Sequence, residues 1–121
     1  SSSSFVPGDK VVYVHPHCGS YAELTAVPAH AAVPVPRDMS LEVAAAALVG
    51  GTTAQFLLED TVAPKLAPGE VIVVHAAAGA TGQLLLRLAK HKGLVVVATG
   101  STLDRCGAAL KLGADVAVPY D

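Results

Sequence analysis

The segment from Val71 to Gly82, VIVVHAAAGATG, constrains the fold of this chain more than any other stretch. Its four branched apolar residues read as a buried parallel strand, and the missing period-two alternation is what a strand covered on both faces shows. Small residues follow, with Gly79 and Gly82, and then a leucine-rich stretch that ends at Gly93. Strand, glycine turn and helix in that order open a dinucleotide-binding βαβ unit. The first amides of a helix lack intrahelical acceptors and the helix dipole is positive there, so such a turn can hold a pyrophosphate. Ala76 stands where the fingerprint has its first glycine, and a plain βα turn that binds nothing is the alternative reading of this spacing.

The rest of the second half continues the alternation. A strand at 71–75 precedes a helix at about 81–92, a strand at 94–98 a helix at about 102–112, and a last strand spans 115–118. Gly93 and Gly113 stand where helices end on a left-handed residue. Lys90, His91 and Lys92 put cations in the last turn of the first helix, and Ser101 with Asp104 reads as a weak capping box before the second. Strands alternating with helices imply an α/β fold with a parallel sheet.

The first third reads as a small, turn-rich β module. Pro7-Gly8-Asp9 is a turn, 10–14 (KVVYV) a short strand, and 21–27 (YAELTAV) an alternating segment expected to pair antiparallel with it. Pro28, Pro34 and Pro36 exclude a central strand or a helix between them. Ser40 is the expected N-cap of a helix over 41–48, with Glu42 in its first turn; Gly50-Gly51 is expected to interrupt it before helix resumes over 52–60.

Composition removes several classes of function. The formal charge is −2 and the chain has no basic stripe, which argues against a nucleic-acid partner. No Trp and 4% aromatic residues leave little for base stacking. No apolar run is read as long enough to cross a membrane, and no charged segment followed by an apolar one marks a signal peptide. Cys18 and Cys106 are far apart, which fits reduced thiols and a cytoplasmic location. The chain opens on four serines rather than Met and stops just after a strand, so it reads as a piece of a longer product, with residues 1–4 a flexible leader.

The end of the second parallel strand bears on the choice of cofactor. A site for NAD usually offers a carboxylate there for the ribose hydroxyls. Here Ala98-Thr99-Gly100-Ser101 carries none; Ser101 can donate a hydrogen bond, and Arg105 lies one helical turn on, able to pair with a phosphate. This pattern points to NADP(H). The alternative for Arg105 is a solvated helix charge beside Asp104. A P-loop is excluded because Gln83, not Lys, follows Gly82. His15, His17, Cys18 and His30 lack convincing zinc-ligand spacing and read as loop residues. Cys106 has no visible nucleophilic partner.

Taken in order, PGDKVVYV, GSYAEL, VPRDMSLEVAAAALVGGTTAQFLL, LAPGEVIVVHAAAGATGQLLLRLAK and LGADVAVPYD resemble the medium-chain dehydrogenase/reductase superfamily, in its NADPH-dependent quinone oxidoreductase and enoyl reductase branch. The resemblance implies residues 5–37 as the C-terminal part of a GroES-like catalytic domain, 38–69 as linking helices, and 70–121 as the N-terminal half of a Rossmann domain, a βαβαβ half truncated with the module before it at both ends. It implies Gly79, Ala80, Thr81 and Gly82 at the pyrophosphate, Gly100, Ser101, Arg105 and Tyr120 around the 2′-phosphate, and Thr53 near the nicotinamide. Thr81 stands where the family usually has valine and Gly50 where it often has glutamine. Only HPHCGS fills the gap that zinc alcohol dehydrogenases of the superfamily fill with a four-cysteine lobe, and the branch resembled works without metal.

The implied activity is hydride transfer from NADPH to a small quinone or α,β-unsaturated carbonyl, in a parent expected to be a homodimer without membrane partners. No acid or base is assigned. Two other readings stand beside it: a non-catalytic module that binds nucleotide or a protein, and a zinc-dependent alcohol dehydrogenase relative.

Overall fold

The computed structural model describes residues 5–14, 19–62 and 66–120, in two units that divide between Val49 and Gly50. In the first unit, strand β1 (Val11–Tyr13) pairs antiparallel with β2 (Ala32–Pro34), Val12 facing Val33. The Val35 N–H adds a bond to Lys10 O at 2.9 Å. The Pro7-Gly8 turn forms as expected, with Gly8 at φ +99° and the Val6 N–H donating to Asp9 Oδ2 at 2.9 Å.

The expected strand over 21–27 does not form. Its Tyr21 and Leu24 stand exposed, and Ala32–Pro34 takes the place beside β1. Alternation in 21–27 fitted a strand, but no buried face receives its apolar side chains. Pro34 is tolerated because this sheet has only two strands, so each is an edge.

Helix α1 (Leu41–Gln55) starts as its sequence predicts: the Val43 N–H donates to Ser40 Oγ at 3.2 Å. The Glu42 carboxyl lies below its ordinary value, through its own backbone N–H, the Ser40 hydroxyl and then the charge of Lys10. Gly50-Gly51 does not interrupt the helix, contrary to expectation, and a π-helical segment (Phe56–Val62) extends it. Helix-interior glycine costs about 1 kcal/mol against alanine. At Gly50 the missing side chain has a packing use, since a Cβ there would stand 3.2 Å from Leu84 Cδ1. In the π-helical segment the Thr61 hydroxyl donates to the Leu57 carbonyl.

The continuous helical run Leu41–Thr61 has 21 residues and a window of mean hydropathy 1.5, so it is long and apolar enough to cross a membrane. That corrects the expectation that no apolar run is long enough to cross a membrane. On this run Ala54 and Leu58 are fully buried, and Leu58 joins the core of the second unit.

The second unit is built on three parallel strands, β3 (Val71–Val74), β4 (Val95–Gly100) and β5 (Val116–Pro119), in the order β3-β4-β5. Helices α2 (Ala80–His91) and α3 (Leu103–Lys111) connect them. Val74, Val96, Ala98 and Gly100 are buried, and Val74, Val96 and Ala98 cluster with Leu58, Leu86, Ala89, Leu94 and Ala109. Each buried leucine contributes about 1.5–3 kcal/mol.

The other face of the sheet is open among the described residues: Val71 is 60% and Val73 57% exposed. The expectation that β3 is covered on both faces is therefore corrected. Both helices cover the same face, and a valine-rich strand reads alike whether its second face is covered or not.

At the amino ends of the strands, Lys90 Nζ donates to Leu94 O at 3.0 Å and to Asp115 Oδ2 at 2.7 Å, while the Val96 N–H donates to the same carboxylate oxygen at 2.7 Å. This bracket ties α2 to β4 and β5, and nothing in the local sequence around either residue announces it.

Candidate functional site

The carboxyl ends of the three parallel strands meet at one small cleft. Ala76, Ala78, Gly79, Gly100, Ser101, Arg105 and Tyr120 line it, around a volume of about 40 Å³. The turn that forms one wall leaves β3 with Ala76 at φ +50°, the only non-glycine residue with positive φ among the described residues. The Gly79 N–H then closes on Ala76 O at 2.8 Å.

Gly79 extends at φ −79°, ψ 168° as the N-cap of α2 and has no side chain to cap it. The N–H groups of Ala80, Thr81 and Gly82 therefore have no intrahelical acceptor. Gly82 is required by close approach: a Cβ there would lie 2.4 Å from Ala76 O and 2.8 Å from Ala77 Cα. The helix start is thus pressed directly against the turn.

The opposite wall comes from β4 and α3. Gly100 is buried, and a Cβ on it would stand 3.2 Å from Cys106 Sγ and 3.3 Å from Arg105 Cβ, so β4 ends tight against the first turn of α3. Thr102, not Ser101, caps α3, its hydroxyl oxygen accepting the Arg105 N–H at 3.2 Å. The capping box expected from Ser101 and Asp104 therefore does not form; the cap falls one residue later, which leaves Ser101 on the cleft wall. The Tyr120 N–H donates to Gly100 O at 3.0 Å and brings the end of β5 to the same rim.

The electrostatics are plain. Among the described residues, no carboxylate lines the cleft. Arg105 is exposed and takes part in neither ion pair found among the described residues, Lys90–Asp115 and Lys92–Glu59. An anionic ligand would meet a guanidinium, the Ser101 hydroxyl, the Tyr120 side chain and the unpaired amides of α2.

Of the residues singled out from sequence, Gly79, Gly100, Ser101, Arg105 and Tyr120 share this cleft, and Ala80, Thr81 and Gly82 form the helix start beside it. Thr53 lies exposed on α1 and does not line the cleft. Of the HPHC motif, His15, His17 and Cys18 lie outside the described residues. No group of three or more potential metal-ligating side chains occurs among the described residues.

No family model matches the chain. Among known proteins it is 40% identical over 119 residues to a probable quinone oxidoreductase of Schizosaccharomyces pombe, across 98% of this chain and 35% of that protein. It is 34% identical over 120 residues to a 2-haloacrylate reductase of Burkholderia sp, across 98% and 35%. The quinone oxidoreductase of Pseudomonas syringae pv. tomato DC3000 superposes with a TM-score of 0.88 at 36% identity, over 97% of this chain and 35% of that one.

The chain is homologous to a segment of quinone oxidoreductases of the medium-chain dehydrogenase/reductase superfamily. It spans about a third of the length of the relatives it matches. Its residues 71–119 form the βαβαβ half of a Rossmann-type sheet. The Escherichia coli quinone oxidoreductase, solved in complex with NADPH, shares this arrangement with a TM-score of 0.86 at 34% identity, over 93% of this chain and 34% of that one.

Sequence reasoning missed three residues that shape the cleft. The Gln83 side chain donates to Ala78 O at 2.9 Å and braces the turn from inside α2. His75 Nδ1 and Thr99 Oγ1 lie 3.0 Å apart and join β3 to β4 at the rim. Gln83 was visible only as the residue that excludes a P-loop.

Proposed function

We propose that this chain carries the cofactor cleft of an NADPH-dependent reductase that passes hydride to a quinone or an α,β-unsaturated carbonyl without a metal. One observation carries the reading: Ser101, Arg105 and Tyr120 gather on one wall facing the glycine turn, with no carboxylate beside them among the described residues. The relatives named as quinone oxidoreductase and 2-haloacrylate reductase support the reaction class, and the E. coli complex supports the cofactor.

When bound, NADPH supplies a hydride from nicotinamide C4, and the acceptor's reduction is completed by a proton. The chain's own residues would bind and orient. The amides of Ala80, Thr81 and Gly82 would meet the pyrophosphate, with Gly79 allowing close backbone approach. Gly100, Ser101, Arg105 and Tyr120 would surround the 2′-phosphate. Thr53 would approach the nicotinamide. In support, Gly50, three residues before it on α1, packs beside Ala80 and Thr81 at the start of α2. No side chain here is assigned as acid or base. A homodimeric parent in the cytoplasm belongs to the same reading.

Calorimetric titration of the chain with NADPH and with NADH tests it, with Arg105→Ala alongside. NADPH should bind more tightly. Arg105→Ala should weaken NADPH about 10- to 100-fold, the worth of hydrogen bonds to a charged group, and leave NADH nearly unchanged. Equal loss for both cofactors would overturn the assignment of Arg105. A folded chain that binds neither would overturn the function.

A further inference from the structure

His75 and Thr99 stand where β3 and β4 turn into the cleft. Each is the residue before a cleft-lining position, Ala76 and Gly100 respectively. Their side chains meet at 3.0 Å between His75 Nδ1 and Thr99 Oγ1. Thr99 is held a second time through its main chain, because the Ala77 N–H donates to Thr99 O at 3.1 Å and Ala77 is fully buried. One residue on, Gly100 O accepts the Tyr120 N–H at 3.0 Å. The segment Thr99-Gly100-Ser101 therefore hangs between the glycine turn on one side and the end of β5 on the other.

We propose that the His75–Thr99 pair is a positioning clamp that fixes the spacing between the two anion-holding walls of the cleft, and so sets the preference for the 2′-phosphorylated cofactor. This rests on the NADPH reading given above. NADPH presents two anionic groups that must be met at once, one at the turn and one at the Ser101–Arg105 wall. NADH presents only the first. Loosening the walls relative to each other penalises the ligand that bridges them and spares the one that does not. No contact between His75 or Thr99 and the cofactor is required, so neither residue is catalytic.

The pair also explains an oddity of the turn. Ala76 occupies a left-handed conformation that an alanine disfavours, directly after His75. A ring anchored to the neighbouring strand holds the chain at the point where this strain begins. Without the anchor, the turn keeps the Ala77 N–H bond to Thr99 O and the Gln83 brace on Ala78 O.

The test is the ratio of NADPH to NADH affinity, measured by calorimetry on the whole chain for Thr99→Val, Thr99→Ser, His75→Leu and the double variant Thr99→Val/His75→Leu. Thr99→Val and His75→Leu should each lower the ratio about fivefold, the order of one hydrogen bond. Thr99→Ser, which keeps the hydroxyl, should preserve it. The double variant should fall no further than either single one, because both remove the same bond. Amide hydrogen exchange supplies a readout free of ligand: exchange at Ala77 and Tyr120 should quicken in Thr99→Val and not in Thr99→Ser.

A parent chain that binds NADPH preferentially, with a ratio untouched by Thr99→Val and His75→Leu, overturns the clamp and leaves the cofactor reading standing. An equal loss for both cofactors also overturns it, because that is what mere destabilisation produces. A parent chain that binds neither cofactor overturns the cofactor reading, and the clamp's role in preference with it.

Discussion

Gly82→Ala separates a steric argument from a propensity argument, because the two predict opposite signs. Gly82 is the third residue of α2, where alanine would ordinarily gain up to about 1 kcal/mol over glycine. The structure predicts a loss. A Cβ at this position would stand 2.4 Å from Ala76 O, 2.8 Å from Ala77 Cα and 3.1 Å from Ala76 C. Ordinary contact begins at 3.4 Å, so the deepest overlap is about 1 Å. All three atoms are backbone, and no side chain can rotate out of the way; the helix or the turn must move. Overpacking costs about 1–3 kcal/mol, and a backbone clash of this depth belongs at the top of that range. After the propensity gain the net loss is about 2 kcal/mol, or a fall in Tm of roughly 8–16 °C for a unit this small. Urea and thermal denaturation followed by circular dichroism measure it. Gly107→Ala is the matched comparison, because nothing lies within 4 Å of a Cβ there, and it should stabilise α3 by about 0.5–1 kcal/mol. If Gly82→Ala is as stable as the parent while Gly107→Ala gains as stated, the close-approach argument is wrong.

Three further outcomes follow from the geometry. Ala76→Gly should leave stability unchanged or raise it by up to about 1 kcal/mol, since relief of the left-handed strain exceeds or matches glycine's extra unfolded-state entropy; a loss above about 1 kcal/mol in urea denaturation contradicts the conformation at Ala76. Thr102→Ala should cost about 0.5–2 kcal/mol through loss of the α3 cap, whereas Ser101→Ala should stay within about 0.5 kcal/mol; the reverse ranking in the same assay would restore Ser101 as the cap. The Asp115 carboxyl lies below its ordinary value of 3.8, first through the hydrogen bond from Lys90 and then through the Val96 N–H. Its contribution to stability is therefore complete above pH 3.8 and is lost as pH falls through the lower folded value. Asp115→Asn should flatten the acid limb of a stability–pH curve, and an unchanged limb would remove Asp115 from the account.

The parallel half of the fold was legible because each signal was local. The valines of β3 and β4, the Gly93 and Gly113 stops and the glycine turn all lie within a few residues of what they determine. The cleft was legible for the same reason, since parallel strands bring their carboxyl ends to one rim, so Gly79, Gly100, Arg105 and Tyr120 had to converge. What escaped was set by partners far along the chain. The mate of β1 is Ala32–Pro34, three residues with a proline among them, which carry almost no strand signal of their own. Gly50 looked like a helix break because its reason for being glycine is Leu84. The clamp at Thr99 and the bracket at Asp115 each join residues more than 20 positions apart in sequence.

The bracket of Lys90 and Asp115 lies at the amino ends of the strands, and the cleft at their carboxyl ends. Val95 and Gly100, the ends of β4, are five residues apart, or roughly 16 Å at about 3.3 Å per residue. Changes at sites so separated, with no shared partners, combine nearly additively. Selection on this scaffold therefore has two independent handles. On the proposed function, cofactor preference can drift at one rim through Ser101, Arg105 and Tyr120 without eroding the fold, and heat tolerance can be adjusted at the other through Lys90 and Asp115 without disturbing chemistry. A lineage that must change its reductant need not first become more robust in order to survive the exchange.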